Sequence, residues 1–204
     1  MKNYTLLLLL GCIAGYLPSI AQEEKPTPHK GQIGITYSGF GSNDVFRKAE
    51  LIGGPGYSGD RFYNLGISYL YPLNRTFDLE ASIEYAGHKI TITPGVSLQH
   101  YPSYGAGFSL ITIPIGVRMN FFRYFFVNGG LILDADASQS MPINSQTGLG
   151  FNLGLGFKYS FKCGFTAFVN PYTKYHSLVP FSSDQYPQHL LEEGIRLGLM
   201  YRLK

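Results

Sequence analysis

The sequence has no tryptophan and little charge: Asp, Glu, Lys and Arg make up 14% of its 204 residues, against about 25% in soluble proteins. So small a charged complement argues against a chain that keeps a large surface in water. The formal charge is only +3 and no long basic run occurs, which speaks against nucleic acid as a partner. Of the two cysteines, Cys12 falls in an amino-terminal leader, so Cys163 is left alone and no internal disulfide is expected. His29, His88, His100, His176 and His189 show no compact ligand spacing, and neither a metal nor another cofactor is expected. The glycine-rich stretch 51–56 lacks the Gly-Lys-Ser/Thr ending of a phosphate-cradling loop and reads as turn chemistry. The one long apolar run, 6–14, is too short and wrongly flanked to span a bilayer as a helix.

That run follows Lys2 and leads to the small-residue pattern Ser19-Ile20-Ala21 before Gln22. Residues 1–21 therefore read as a secretory signal peptide cleaved after Ala21. A second reading takes Leu9-Leu10-Gly11-Cys12 as a lipoprotein processing site. Residues 22–30, with Pro26 and Pro28, read as a short periplasmic segment, and 31–204 as one domain.

What the chain has in excess is glycine, 25 residues, and aromatic rings, 15% of the sequence. They are arranged with a period of two. In the stretch 148–161, Leu149, Phe151, Leu153, Leu155, Phe157, Tyr159 and Phe161 share one parity. Gly150, Asn152, Gly154, Gly156, Lys158 and Ser160 share the other. Such alternation places the two sets on opposite faces of a strand. Large apolar side chains on one face and almost no volume on the other suit lipid outside and a narrow lumen inside. Mean hydropathy of +0.00 fits, because the two faces cancel.

Eight alternating segments are expected, at 31–39, 60–71, 76–90, 106–119, 123–133, 147–160, 164–177 and 192–203. Each is near or above the ~9–11 residues that cross a hydrocarbon layer at a tilt of about 45°. Short connections near 72–75, 120–123 and 160–163 alternate with long ones at 40–59, 91–105, 134–146 and 178–191. The fold class that follows is all-β, an eight-stranded antiparallel transmembrane up-and-down β-barrel with short periplasmic turns and long outer loops. Lipid tolerates no unpaired sheet edge, so the sheet must close. Tyr69, Tyr71, Phe121, Phe122, Tyr124, Tyr159, Phe161 and Tyr201 fall near the short-turn rim, and Tyr37, Phe62, Tyr63, Tyr104 and Tyr175 near the other. Pro114 inside a strand predicts a bulge or a distorted register.

The leader ending at Ala21-Gln22, the stretch 113–121 (IPIGVRMNF), the glycine alternation of 148–161 and the terminal GLMYRLK of 198–204 together resemble a Bacteroidetes-type family of small outer-membrane β-barrel domains. The resemblance covers almost the whole chain after the leader. It implies residence in the outer membrane among lipids and lipopolysaccharide, and it specifies architecture far better than activity. Relatives of this architecture serve as anchors, adhesins, secretion components or lipid-modifying enzymes. The chain ends in Lys204, where an aromatic residue is commoner in outer-membrane barrels.

Eight strands enclose room for side chains or one small ligand, whereas aqueous pores need about twice as many. A filled lumen is expected, with Asp78, Glu80 and Glu84 pairing with some of Arg118, Lys158, Arg196 and Arg202 as an interior charge network. The function expected is non-enzymatic, a monomeric barrel with a structural or surface-interaction role. Its outer loops would meet any protein or glycan partner, through Arg47, Lys48 and Glu50, through His100, Tyr101 and Tyr104, or through Phe181, Asp184 and Tyr186. The alternative is an outer-membrane hydrolase of lipid A or phospholipid, built on His176, Ser177 and a carboxylate among Asp184, Glu192 and Glu193. Neighbouring strand residues point to opposite faces, which places His176 and Ser177 poorly for that task.

Overall fold

The computed structural model describes residues 31–47, 53–95, 101–138, 141–182 and 187–203. The leader 1–21 and the segment 22–30 lie outside them, as do the loop residues Lys48, Glu50, His100, Asp184 and Tyr186. Eight strands form, β1 Gln32–Arg47, β2 Gly56–Pro72, β3 Phe77–Thr93, β4 Tyr104–Phe121, β5 Phe125–Asp136, β6 Gly148–Ser160, β7 Phe165–Pro180 and β8 Gln188–Arg202. Each pairs antiparallel with its sequence neighbours, and β1 pairs with β8, closing a barrel. Both ends of the sheet meet at the short-turn rim, where Leu203 N donates to Gly31 O at 3.0 Å.

The three short turns are locally built. Asn74 Oδ1 accepts from the backbone N of Thr76 and of Phe77 at 2.8 Å each, an Asx arrangement that fixes the β2–β3 turn. Gly164 takes φ of +93° in the β6–β7 turn, a region that costs glycine nothing.

At the other end the strands run well past the expected limits. β1 continues to Arg47 and β8 begins at Gln188, each paired to the last residue. The reason is visible on β3. Phe77, Leu79, Ile83 and Tyr85 point outward and are exposed, while Glu80, Ser82 and Glu84 point inward and are buried. From Ala86 onward the polarity reverses: Ala86, His88, Ile90 and Ile92 are buried inside, and Lys89 and Thr93 are exposed outside. The adjoining ends of β2 and β4 follow, with Ser58 and Arg61 exposed outside, and Phe108 and Leu110 buried inside. An apolar-out alternation therefore marks only part of each strand, while the hydrogen-bonded ladder continues beyond it.

Two apolar clusters cap the interior. Leu70, Phe126, Phe168 and Met200 fill the short-turn end. Val45, Ala86, Ile90, Ile92, Phe108, Leu110, Ile143 and Leu190 fill the long-loop end. Between them lies a polar core. Phe62, expected near the outer aromatic rim, is buried instead, because it shares the inward parity of Asn64 and Ser68.

Pro114 also faces inward, without the distortion its sequence position predicts. The β3–β4 pairing passes from Ala81–Ile115 to Glu84–Thr112 in one register, leaving Ser82 and Ile83 unpaired to β4. A gap in one ladder is enough to accommodate the missing N–H, and the β5 side pairs Pro114 with Ile132.

Candidate functional site

The polar core is assembled from inward positions on six of the eight strands. β3 supplies Glu80, Glu84 and His88, β4 supplies Thr112 and Arg118, and β5 supplies Asn128 and Asp134. β2 adds Asn64, β7 adds Asn170, Tyr172, Lys174 and His176, and β8 adds Glu192 and Arg196. β6 contributes space, not charge. A Cβ at position 156 would lie 2.1 Å from Phe126 Cζ, and one at 154 would lie 2.6 Å from the Asn128 and Asn170 amides. On β8, Gly198 does the same for the Phe168 ring.

Glu80 is the lower hub. Arg118 grips it with two donors, Nε to Oε2 at 3.2 Å and Nη2 to Oε1 at 3.0 Å, and Arg196 Nη2 lies 3.0 Å from Oε1. The Arg118 guanidinium also lies 4.1 Å from the centre of the Phe126 ring and 4.9 Å from that of Phe168, so the apolar layer beneath meets a cation. Arg196 donates to Asn170 Oδ1 at 2.8 Å and lies 3.8 Å from Glu84.

Glu192 is the upper hub. Its Oε1 accepts from Tyr172 OH at 2.6 Å and from Asn64 Nδ2 at 2.7 Å, with Lys174 Nζ at 3.5 Å. Lys174 also binds Glu84, which ties the two hubs together. On the far side of Glu192, Oε2 lies 3.5 Å from His88 Nε2 and 3.7 Å from His176 Nε2. His176 Nδ1 meets Asp134 Oδ2 at 3.0 Å, and Thr112 donates to Asp134 Oδ1 at 2.8 Å. His88 is stacked between the Phe62 and Phe108 rings. Four buried carboxylates, Glu80, Glu84, Asp134 and Glu192, thus face three permanent cations, Arg118, Lys174 and Arg196. His176 lies between two of the carboxylates, Asp134 and Glu192.

Of the seven residues expected in an interior charge network, the structure joins Glu80, Glu84, Arg118 and Arg196 directly. Asp78 and Lys158 sit nearer the short turns and meet through Asn120, which donates to Asp78 at 2.7 Å and accepts from Lys158 at 2.6 Å. Arg202 stands apart: it has the inward parity, but it lies beyond Met200 at the end of β8 and is exposed. Lys174, His88, His176, Asp134 and Glu192 complete the core, and parity alone was the signal for them. Lys174 continues the series Asn170 and Tyr172, and Asp134 continues Asn128 and Ile132.

The long-loop mouth is closed by the segment 141–147. Gln146 is fully buried, donating from Nε2 to Asn144 O and Gln188 O at 2.9 Å and accepting from Leu190 N at 3.2 Å. Ser145 and the Gln146 backbone bind Asp136. Beside this plug a cleft of about 430 Å³ opens between Pro55, Tyr57, Ile92, Pro94, Tyr104 and Pro142.

The histidine and serine of a hydrolase do not meet. His176 is sealed in the core and held by Asp134 and Glu192, while Ser177 Oγ is buried without a hydrogen-bond partner. His189 Nδ1 lies 2.9 Å from the Ser177 carbonyl oxygen and not on its hydroxyl, and a hydroxyl bonded to no base is not an activated nucleophile. Among the described residues no group of three or more His, Cys, Asp or Glu side chains is arranged so that it could hold a metal ion.

A closed ring of eight antiparallel strands with an apolar outer belt has counterparts among solved structures. The outer membrane protein OprG of Pseudomonas aeruginosa superimposes with a TM-score of 0.52, covering 86% of this chain and 97% of that one at 12% identity. The fold is that of an outer-membrane β-barrel. Ail, the attachment invasion locus protein of Yersinia pestis, solved with the heparin analogue sucrose octasulfate, gives 0.45 over 85% of this chain and 99% of that one at 14% identity. That likeness is too loose to carry further weight. No family model matches the sequence. No curated protein matches it either.

Proposed function

We propose that the chain is a non-enzymatic β-barrel protein resident in the outer membrane, with a filled lumen and a structural or surface-interaction role at its long-loop end. The observation that carries this reading is the reversal of polarity along the strands. Where the outside is apolar the inside is charged, and where the outside turns polar the inside becomes an apolar core. The first arrangement is stable only with lipid outside, because about a barrel's circumference of Leu, Ile and aromatic rings otherwise faces water. The second is the ordinary arrangement in water. One strand set thus crosses a membrane and then projects beyond it.

In this reading residues 1–21 are the export signal, the short turns face the periplasm, and lipids and lipopolysaccharide surround the apolar belt. The resemblance of 113–121 and 198–204 to the Bacteroidetes-type barrel domains supports membership of that group. The interior charge network holds the walls together and blocks the lumen, since charges withdrawn from water persist only when paired. The cleft beside the plug and the outer loops offer the surface for a protein or glycan partner. Cells expressing the full chain provide the test. Outer-membrane extracts should contain a species whose electrophoretic migration changes on boiling, the sign of a closed barrel. Recovery in soluble fractions alone would overturn the proposal.

A further inference from the structure

The charges at the two ends of the barrel are distributed differently. At the long-loop end, exposed Asp44, Asp60 and Glu193 are mixed with exposed Arg61 and Lys89. At the short-turn end, each of the three turns carries one exposed cation and no acid: Arg75 in 73–76, Arg123 in 122–124 and Lys162 in 161–164. Arg202, exposed at the end of β8, adds a fourth where the ring closes. Asp78, the carboxylate nearest this rim, is turned inward and held by Asn120. Among the described residues, none of the four cations makes an ion pair with a carboxylate.

Four cations spread around a ring cannot neutralise one another, and short turns held by backbone bonds cannot fold away to reach distant acids. Immediately inside the collar lies a belt of rings. Tyr124 stacks on Phe157 and Tyr159, Phe165 packs on Tyr201, and Arg123 lies 5.6 Å from the Tyr124 ring. Aromatic rings of this kind settle at the boundary between hydrocarbon and headgroup. The four cations then stand at the depth of the phosphates, where guanidinium and ammonium groups find their strongest partners.

We propose that this collar binds anionic phospholipid headgroups of the leaflet facing the short turns, and so selects the lipid annulus on that side. The proposal rests on the outer-membrane reading above. It goes further by assigning the rim a ligand of stated charge.

The full chain is reconstituted in nanodiscs of phosphatidylcholine and phosphatidylglycerol in equal parts, and the lipid that stays bound on mild delipidation is measured by mass spectrometry. Wild type should enrich phosphatidylglycerol several-fold, and salt should weaken the enrichment. The combined Arg75→Gln, Arg123→Gln, Lys162→Gln and Arg202→Gln variant should lose it, whereas Arg61→Gln with Lys89→Gln should keep it. Equal enrichment in the fourfold variant would overturn the proposal. So would loss in the Arg61/Lys89 variant, or displacement of the lipid by inorganic phosphate at matched concentration. Binding to purified murein that vanishes in the fourfold variant while lipid enrichment stays would also overturn it, giving the collar to a different polymer. Boiling-sensitive migration is checked for every variant. If wild type never inserts, the outer-membrane reading fails, whereas insertion without lipid preference sinks the collar alone.

Discussion

Glu80 shows what a buried charge does in this barrel. It holds Arg118 by two donors and Arg196 by a third. Truncation by Glu80→Ala strips Arg118 of its ion-pair partner and leaves Arg196 only Glu84, at 3.8 Å, a loss of about 3–5 kcal/mol. Urea denaturation in lipid vesicles, followed by tyrosine fluorescence, should register that loss as a lower midpoint. Glu80→Leu combined with Arg118→Leu removes both members of the main pair and should cost less than Glu80→Ala alone, because less charge is left uncompensated. Sequence parity on β3 already marks Glu80 and Glu84 as inward. It does not say which cation each one meets, since the partners come from strands up to 116 positions away, as in the span from Glu80 to Arg196. Lys174 and Glu192 were harder still to assign. They have the inward parity of the expected segments 164–177 and 192–203, but they sit near the long-loop ends of those segments, where parity alone does not separate a paired core charge from a solvated one.

At the scale of the strand, β6 answers the question its composition poses. Its glycines face inward so that bulky groups from β5 and β7 can lie across them, Phe126 over Gly156 and the asparagine amides over Gly154. Gly156→Val should therefore force the Phe126 ring aside and destabilise by about 1–3 kcal/mol. The same denaturation assay checks this, and adding Phe126→Leu should restore part of the loss. The plug segment is a second element with a definite expectation. Gln146→Ala strands the Leu190 N–H and two carbonyls, and a cost of about 1–3 kcal/mol follows for such unpaired buried groups. Amide exchange should speed up at Leu190 and leave the short-turn ends of the strands unchanged. The number, order and short turns of the strands were legible because lipid-facing side chains write a period of two. The outer ends were not, because past Ala86 the water-facing and core-facing sets exchange places while the ladder runs on.

As a whole the molecule carries two zones of opposite polarity, the reversal running along β1–β4 and β8. The membrane part is greasy outside and charged inside, and the projecting part is polar outside with an apolar core under the 141–147 plug. Among the described residues, apolar clusters at both ends and a paired core between them fill the lumen, so planar-bilayer recordings of wild type should show no steady porin-sized conductance. The most direct test of the polarity reversal is a set of nitroxide labels at the outward positions Leu79, Ile83, Lys89 and Thr93 of β3, placed one at a time in a Cys163→Ser chain in bilayers. Labels at 79 and 83 should collide with membrane-dissolved oxygen, and labels at 89 and 93 with an aqueous nickel chelate. If all four prove open to the chelate, the belt never meets lipid and the account is contradicted.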